Sequence, residues 1–144
     1  MIPIEKAVKL ILDKNESDIK VKENIIDEIL TKKDKNRLPI LDSQSCPKYM
    51  IHRSMIDKFI VQEVAKGKPI DKLTLKDFVD NVEFKSVITD GFNTIRKTSN
   101  LSEVKAIIDR VPVCQDILIT DDGTSNTKVI GWITNVIVLE QAKI

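Results

Sequence analysis

The chain has 144 residues, of which 23 are basic and 22 acidic, for a formal charge of +1. A chain of that length can bury roughly 70% of its unfolded surface as one compact domain without staples. Balanced charge argues against a phosphate-backbone binder, and an aromatic content of 4% argues against a base-stacking platform.

In chain order, Ile4, Ala7, Val8, Ile11 and Leu12 recur at helical spacing and predict a helix over 2–13 with one buried face. No basic segment followed by an uninterrupted apolar run opens the chain, so no secretion signal is expected. Ile19-Lys20-Val21-Lys22 alternates and predicts a short strand. Ile25, Ile26, Ile29 and Leu30 give a helical stripe from Glu23 to Thr31, and Lys32–Asn36 follows as a solvated turn. Leu38–Leu41 and Tyr49–Ile51 flank a turn at Ser43–Pro47 and read as a hairpin. Ser54 is expected to cap a helix reaching about Lys66, with Gly67 at its C-terminal stop.

Residues 68–73 read as a link, and Thr74-Leu75-Lys76-Asp77 as a capping box that opens a short helix. A strand is expected over 84–89, and Thr94–Thr98 opens a second set of elements. Asn100-Leu101-Ser102-Glu103 is a further capping box, ahead of a stripe at Leu101, Val104, Ile107 and Ile108. A strand at 116–120, a turn at Asp121-Asp122-Gly123, a strand at 128–133 and a helix from 135 complete the chain. The longest nearly apolar stretch, Val129 to Leu139, falls well short of the ~20 residues of a spanning helix. A cytoplasmic protein without membrane or nucleic-acid partners is expected.

Cys46 and Cys114 form no metal-binding pair, and His52 is the sole histidine, so no zinc set can be assembled within one chain. Free thiols in a reducing compartment are the expectation. Asp121-Asp122-Gly123 does not open a calcium loop, because Gly123 and Trp132 fall at positions that need acidic ligands. No phosphate loop, nucleophile elbow or zinc-protease helix is present, and His52 has no evident catalytic partner, so neither enzyme nor cofactor is expected.

One pattern occurs twice. Leu38-Pro39-Ile40-Leu41-Asp42 matches Ile117-Leu118-Ile119-Thr120-Asp121 at an offset of 79 residues, and Ser54 matches Thr134 at an offset of 80. Each half reads as strand–helix–strand–strand–helix, an α/β or α+β unit, with residues 1–67 as the first half and 68–144 as the second. Any ligand site is expected in the groove between the halves.

The string Asp116-Ile117-Leu118-Ile119-Thr120-Asp121-Asp122-Gly123, followed by Val129-Ile130-Gly131-Trp132-Ile133-Thr134-Asn135, resembles the second hairpin and helix start of a cystathionine-beta-synthase (CBS) domain. Leu38-Pro39-Ile40-Leu41-Asp42 resembles the same strand in a more divergent copy, in which Ile51 and Arg53 replace the usual glycine and apolar residue. The resemblance covers nearly the whole chain as a tandem pair, or Bateman module. It implies two β-α-β-β-α repeats about a pseudo-two-fold axis, a homodimer, and a regulatory module that senses an adenine-containing ligand for a partner protein. The resemblance places the ligand's ribose on a Ser/Thr-x-x-Asp motif, complete here as Ser54-Met55-Ile56-Asp57. A carboxylate offers acceptors matched to a vicinal diol, and a helix start offers free N–H groups to phosphate. The residues it nominates are His52, Arg53, Ser54, Asp57, Thr134, Leu38 and Pro39, with Arg96 and Lys97 as further cations. In the second copy Ile137 replaces the acid, so that site is expected to be empty or altered. The rival reading is a structural or dimerisation module that binds no ligand. In it, Ser54 and Asp57 are an ordinary helix cap, and Trp132 packs in a core or dimer interface.

Overall fold

The computed structural model describes residues 2–98, 100, 102–103, 106 and 116–134. Among the described residues, seven strands, β1 (Ile2–Pro3), β2 (Leu10–Ile11), β3 (Arg37–Leu41), β4 (Pro47–His52), β5 (Phe92–Arg96), β6 (Asp116–Thr120) and β7 (Val129–Thr134), form two mixed sheets. One has the order β2-β3-β4 and the other β1-β7-β6-β5. In each, a parallel pair (β2 with β3, β5 with β6) leads into an antiparallel hairpin (β3 with β4, β6 with β7). Both hairpins shift register at the same place, Ile40/Leu41 and Ile119/Thr120, which are 79 residues apart. The duplicated α/β plan is therefore real at the level of pairing.

The duplication has a different register beyond the first strand of each hairpin. Arg37 pairs with His52, and Asp116 pairs with Thr134. The position equivalent to Thr134 is thus His52 and not Ser54. The second hairpin carries the longer loop, which pushes the offset from 79 to 82 residues.

The predicted helix over 2–13 does not form. Ile2 and Pro3 pair with Trp132 and Gly131, Ile4–Lys6 make one 3-10 turn, and Leu10–Ile11 pair with Ile40–Leu41. The helical spacing of apolar residues has another cause. Ile4 packs in the cluster of the second sheet with Leu118 and Trp132, whereas Val8, Leu10 and Leu12 pack in that of the first. The segment is a strap crossing between two cores, and each end is fixed by long-range strand pairing. The strand expected over 19–22 is reduced to a single bridge, Lys20 with Thr74, because the helix begins at Val21. The strand expected over 84–89 is instead the helix Lys85–Asp90, which buries Ile88 beside Phe84.

The stripe Ile25, Ile26 and Leu30 is buried on a π-helix over Val21–Thr31. The helix Arg53–Ala65 buries Ile56 and Phe59 and ends at Lys66 and Gly67, whose φ of +92° favours glycine. Ser54 does not cap it. The helix starts one residue earlier, after His52, and no side chain bonds its first turn. Thr74 and Asp77 form the predicted capping box, with both reciprocal bonds present, on the helix Leu75–Val79. Of the second predicted box, the bond from the Glu103 N–H to Asn100 Oδ1 is present at 2.9 Å. The apolar stripe that follows it, Ile137, Cys114 and the helix from 135 lie outside the described residues.

Phe59 meets the edges of Phe78 and Phe84, with centroids 5.0 and 6.2 Å away. Phe78, Phe84 and Ile88 belong to the first core, so by packing the chain stays with the first sheet well past residue 67. The second cluster draws Leu41 and Met50 from the first hairpin against Leu118, Val129 and Trp132 of the second. The Val129 N–H also donates to the Ser45 carbonyl at 2.9 Å. The two sheets are thereby joined by apolar packing and by backbone.

Each hairpin loop is organised by an aspartate. Asp42 Oδ1 accepts from the Gln44 and Cys46 N–H groups, both at 2.9 Å. Asp122 Oδ1 accepts from the Thr124 hydroxyl, the Thr127 hydroxyl and the Thr124 N–H at 2.7, 2.7 and 2.8 Å. These bonds, the Thr124 hydroxyl first, hold the Asp122 carboxyl below the ordinary carboxylate range.

Two consequences are measurable. Phe59→Ala empties a fully buried site and should cost about 3–5 kcal/mol in urea unfolding. A depressed folded-state pKa makes the Asp122 contribution present above about pH 4 and lost as pH falls through the folded value. Asp122→Asn should therefore flatten the acid limb of the stability profile, and an unchanged limb would remove Asp122 from that role.

Candidate functional site

β3 and β6 begin with opposite charges at equivalent positions, Arg37 and Asp116. The Asp116 carboxylate is fully buried. Arg37 Nη1 and Trp132 Nε1 each donate to its Oδ1 at 2.9 Å, and His52 Nε2 lies 2.9 Å from its Oδ2. An ionised carboxylate is acceptor-only, so this contact is a hydrogen bond when the His52 ring carries a proton on Nε2. Arg37 and His52 come from the first hairpin, Asp116 and Trp132 from the second. The cluster is a polar bolt between the two repeats, set in an otherwise apolar seam.

On the outer side of Arg37 and His52 lies an open cavity of about 390 Å³, lined by Asn36, Arg37, His52, Arg53, Ser54 and Asp57. Strand geometry places Arg37 and His52 side by side as a register pair. The turn from β4 into the helix Arg53–Ala65 then carries Ser54 and Asp57 to the same wall. The Arg53 N–H donates to the Asn36 carbonyl at 2.7 Å, and the Arg53 Nη2 donates to Thr31 Oγ1 at 3.2 Å. With no side-chain cap on the helix, the first-turn N–H groups of Ser54 and Met55 have no intrahelical acceptor. Arg37 is 24% exposed and His52 20%, so both present part of their surface to the cavity while holding Asp116. Ser54 and Asp57 are exposed, and neither side chain makes a hydrogen bond among the described residues. The wall combines cationic donors, a hydroxyl, one free carboxylate and helix-start N–H groups.

Four of the nominated residues, His52, Arg53, Ser54 and Asp57, meet at this cavity. Leu38 and Pro39 do not line it; both are buried within β3, and Leu38 is part of the first core. Thr134 ends β7 opposite Asp116, on the other side of the seam. Arg96 and Lys97 are exposed at the end of β5, where Lys97 lies 3.9 Å from Asp121. Sequence reasoning missed Arg37, Asn36 and Asp116. The signal was a charged residue at the start of each apolar strand, opposite in sign at an offset of 79.

A second cavity of about 350 Å³ shares Asn36 and Arg37 and is otherwise lined by Ile2, Lys6, Ala7, Val8, Asp34, Lys35 and Trp132. Arg37 is thus a common wall between a polar recess and a more apolar one. A larger recess of about 610 Å³ lies by Asn15–Ser17, Lys48 and Tyr49. Much of its polar lining is already paired: the Tyr49 hydroxyl donates to Glu16 at 2.8 Å, Lys48 lies 2.9 Å from Glu16, and Lys76 lies 3.0 Å from Asp80. Burial and the Glu16 bond push the Tyr49 phenol well above its ordinary pKa. No group of three or more potential metal ligands occurs among the described residues.

Breaking the bolt should be costly, because it strands a buried charge. Arg37→Met is expected to lower stability by about 3 kcal/mol in urea unfolding. A loss under about 1 kcal/mol would mean that the remaining contacts of Asp116 compensate it.

No protein-family model matches the sequence, and no curated protein matches it significantly. Solved structures do. Listeria monocytogenes CbpB in complex with cyclic di-AMP aligns at a TM-score of 0.64 and 20% identity, covering 99% of this chain and 91% of that one. CBSX2 in complex with AMP aligns at 0.63 and 16% identity, covering 99% and 92%. The CBS domain pair of MJ0100, in complex with 5′-methylthioadenosine and S-adenosyl-L-methionine, aligns at 0.60 and 20% identity, covering 89% and 85%. The chain has the fold of a tandem CBS domain pair.

Proposed function

We propose that this protein is a regulatory, non-catalytic module that binds an adenine-containing ligand, and that the cavity of Arg37, His52, Arg53, Ser54 and Asp57 holds the ligand's ribose and phosphate. The observation that carries the reading is the donor set. Among the described residues, two arginines, a histidine and a single carboxylate line the cavity, and the uncapped start of a helix 13 residues long adds its N–H groups. That environment favours a phosphate. Asp57, exposed and without a side-chain hydrogen bond among the described residues, suits a vicinal diol, as a carboxylate offers two acceptors to two O–H donors. Three proteins of the same fold were solved with AMP, with cyclic di-AMP, or with 5′-methylthioadenosine and S-adenosyl-L-methionine, which supports the adenine class.

In the second copy the sequence has Ile137 three residues after Thr134, and the missing acid weakens a diol site there. Regulation requires that the ligand bind one arrangement of the repeats better than another. A homodimer, a cytoplasmic setting and a partner protein whose activity follows that arrangement complete the proposal.

The test is thermal unfolding against AMP, ADP, ATP, S-adenosylmethionine and cyclic di-AMP. A ligand at about 100 times its dissociation constant adds about 2.7 kcal/mol, a shift of several degrees at this size. No shift with any of them would leave the ligand-free interaction module as the better reading. Asp57→Ala should weaken binding by about 1.5–3 kcal/mol, the scale of a charged hydrogen bond, while leaving the unfolding midpoint of the free protein nearly unchanged. Equal affinity in that variant would sink the diol assignment.

A further inference from the structure

Arg37 and His52 face two ways. Each lines the cavity, and each contacts Asp116 of the other repeat at 2.9 Å. A carboxylate that reaches across the seam to the arginine and histidine of a ligand cavity occupies, in charge terms, the place of an incoming anion. We propose that Asp116 is the specificity-determining residue of this cavity: a built-in counter-anion that competes with the ligand's anionic group for Arg37 and His52. The proposal deepens the phosphate assignment above and rests on it.

Three observations carry the argument. First, Asp116 is buried while Arg37 and His52 are partly exposed, so an anion entering the cavity can reach both side chains without first displacing a solvent-facing group. Second, a buried carboxylate held close to Arg37 and His52 lowers the positive potential that a phosphate meets, and in this poorly screened setting a unit charge a few ångströms away counts. Third, Trp132, the one tryptophan of the chain, donates its indole N–H to the same Oδ1 that accepts from Arg37. Any anion that draws Arg37 outward therefore changes the surroundings of the indole.

The consequences are selective. Asp116 penalises anionic ligands and leaves neutral ones unaffected. It also links occupancy to the seam, since the side chains that grip the ligand, Arg37 and His52, are those that bind the second repeat to the first. Ligand binding and the tightness of the inter-repeat bolt oppose each other, and linkage makes that opposition reciprocal.

The experiment uses Asp116→Asn, which keeps one acceptor oxygen for Arg37 and the indole while removing the charge. Its amide can donate to His52 Nε2 when that ring carries its proton on Nδ1, so the contacts to Arg37, Trp132 and His52 can all be kept. Three probes are titrated into wild type and variant: AMP, adenosine and inorganic pyrophosphate. Binding is read by calorimetry, and Trp132 by fluorescence. The variant is expected to bind AMP and pyrophosphate at least about fivefold more tightly, with adenosine affinity unchanged. Pyrophosphate should alter the tryptophan emission of the wild type and alter it less in the variant.

Unchanged or weaker anion binding in Asp116→Asn would overturn the proposal and make Asp116 a group that merely orients Arg37. Absence of pyrophosphate binding to either protein would overturn it as well. Pyrophosphate binding without AMP or adenosine binding would instead remove the adenine reading while leaving the competition by Asp116 intact.

Discussion

A fully buried carboxylate between two apolar hairpins is expensive unless it is paired, and Asp116 is paired across the seam. Removing a charge from water costs several kcal/mol, so the surrounding donors must be held where they meet it. That requirement fixes much else. Arg37 and His52 must be register partners on β3 and β4, Trp132 must project from β7, and both hairpins must keep their bulge at the same point. Apolar burial by Leu41, Met50, Leu118, Val129 and Trp132 supplies the driving force for the seam. The Asp116 cluster supplies its registry, because apolar side chains slide against one another at little cost and a buried charge does not.

The N-terminal strap belongs to the same construction. Its two short strands close one edge of each sheet, β1 against β7 and β2 beside β3. Neither strand, at two residues, has stability of its own. Their order follows from the sheets they complete. The strap also supplies Ile2, Ala7 and Val8 to the cavity beside Arg37, so the first residues of the chain wall a recess whose other side is Trp132.

Local rules served well where the relevant partner is close in sequence. The Thr74–Asp77 box, the glycine stop at Gly67, both hairpins and the offset of 79 residues between β3 and β6 were all legible. Errors fell where the partner is distant. The spacing from Ile4 to Leu12 reads as a helix only if one core is assumed. The run 84–89 holds β-branched residues, yet packing beside Phe84 turned it helical. Ser54 was matched to Thr134 because loop length was ignored, and strand register assigns that position to His52. Of the nominated site, His52, Arg53, Ser54 and Asp57 meet at one cavity, while Leu38 and Pro39 are buried in a strand. Arg37 and Asp116 escaped notice because each looks like an ordinary polar strand end until the two repeats are superposed.

That superposition has a last implication. Residues at equivalent positions of a duplicated unit meet each other at the pseudo-axis, and here they are a cation and an anion, Arg37 and Asp116. Two copies of the first repeat placed in the same way would bring arginine against arginine, and two copies of the second would bury aspartate against aspartate. Either mismatch would cost several kcal/mol. The duplication has therefore lost the self-complementarity that an isologous pair requires. Each half accepts the other and rejects its own twin, so pairing of like halves from neighbouring chains at this seam is disfavoured.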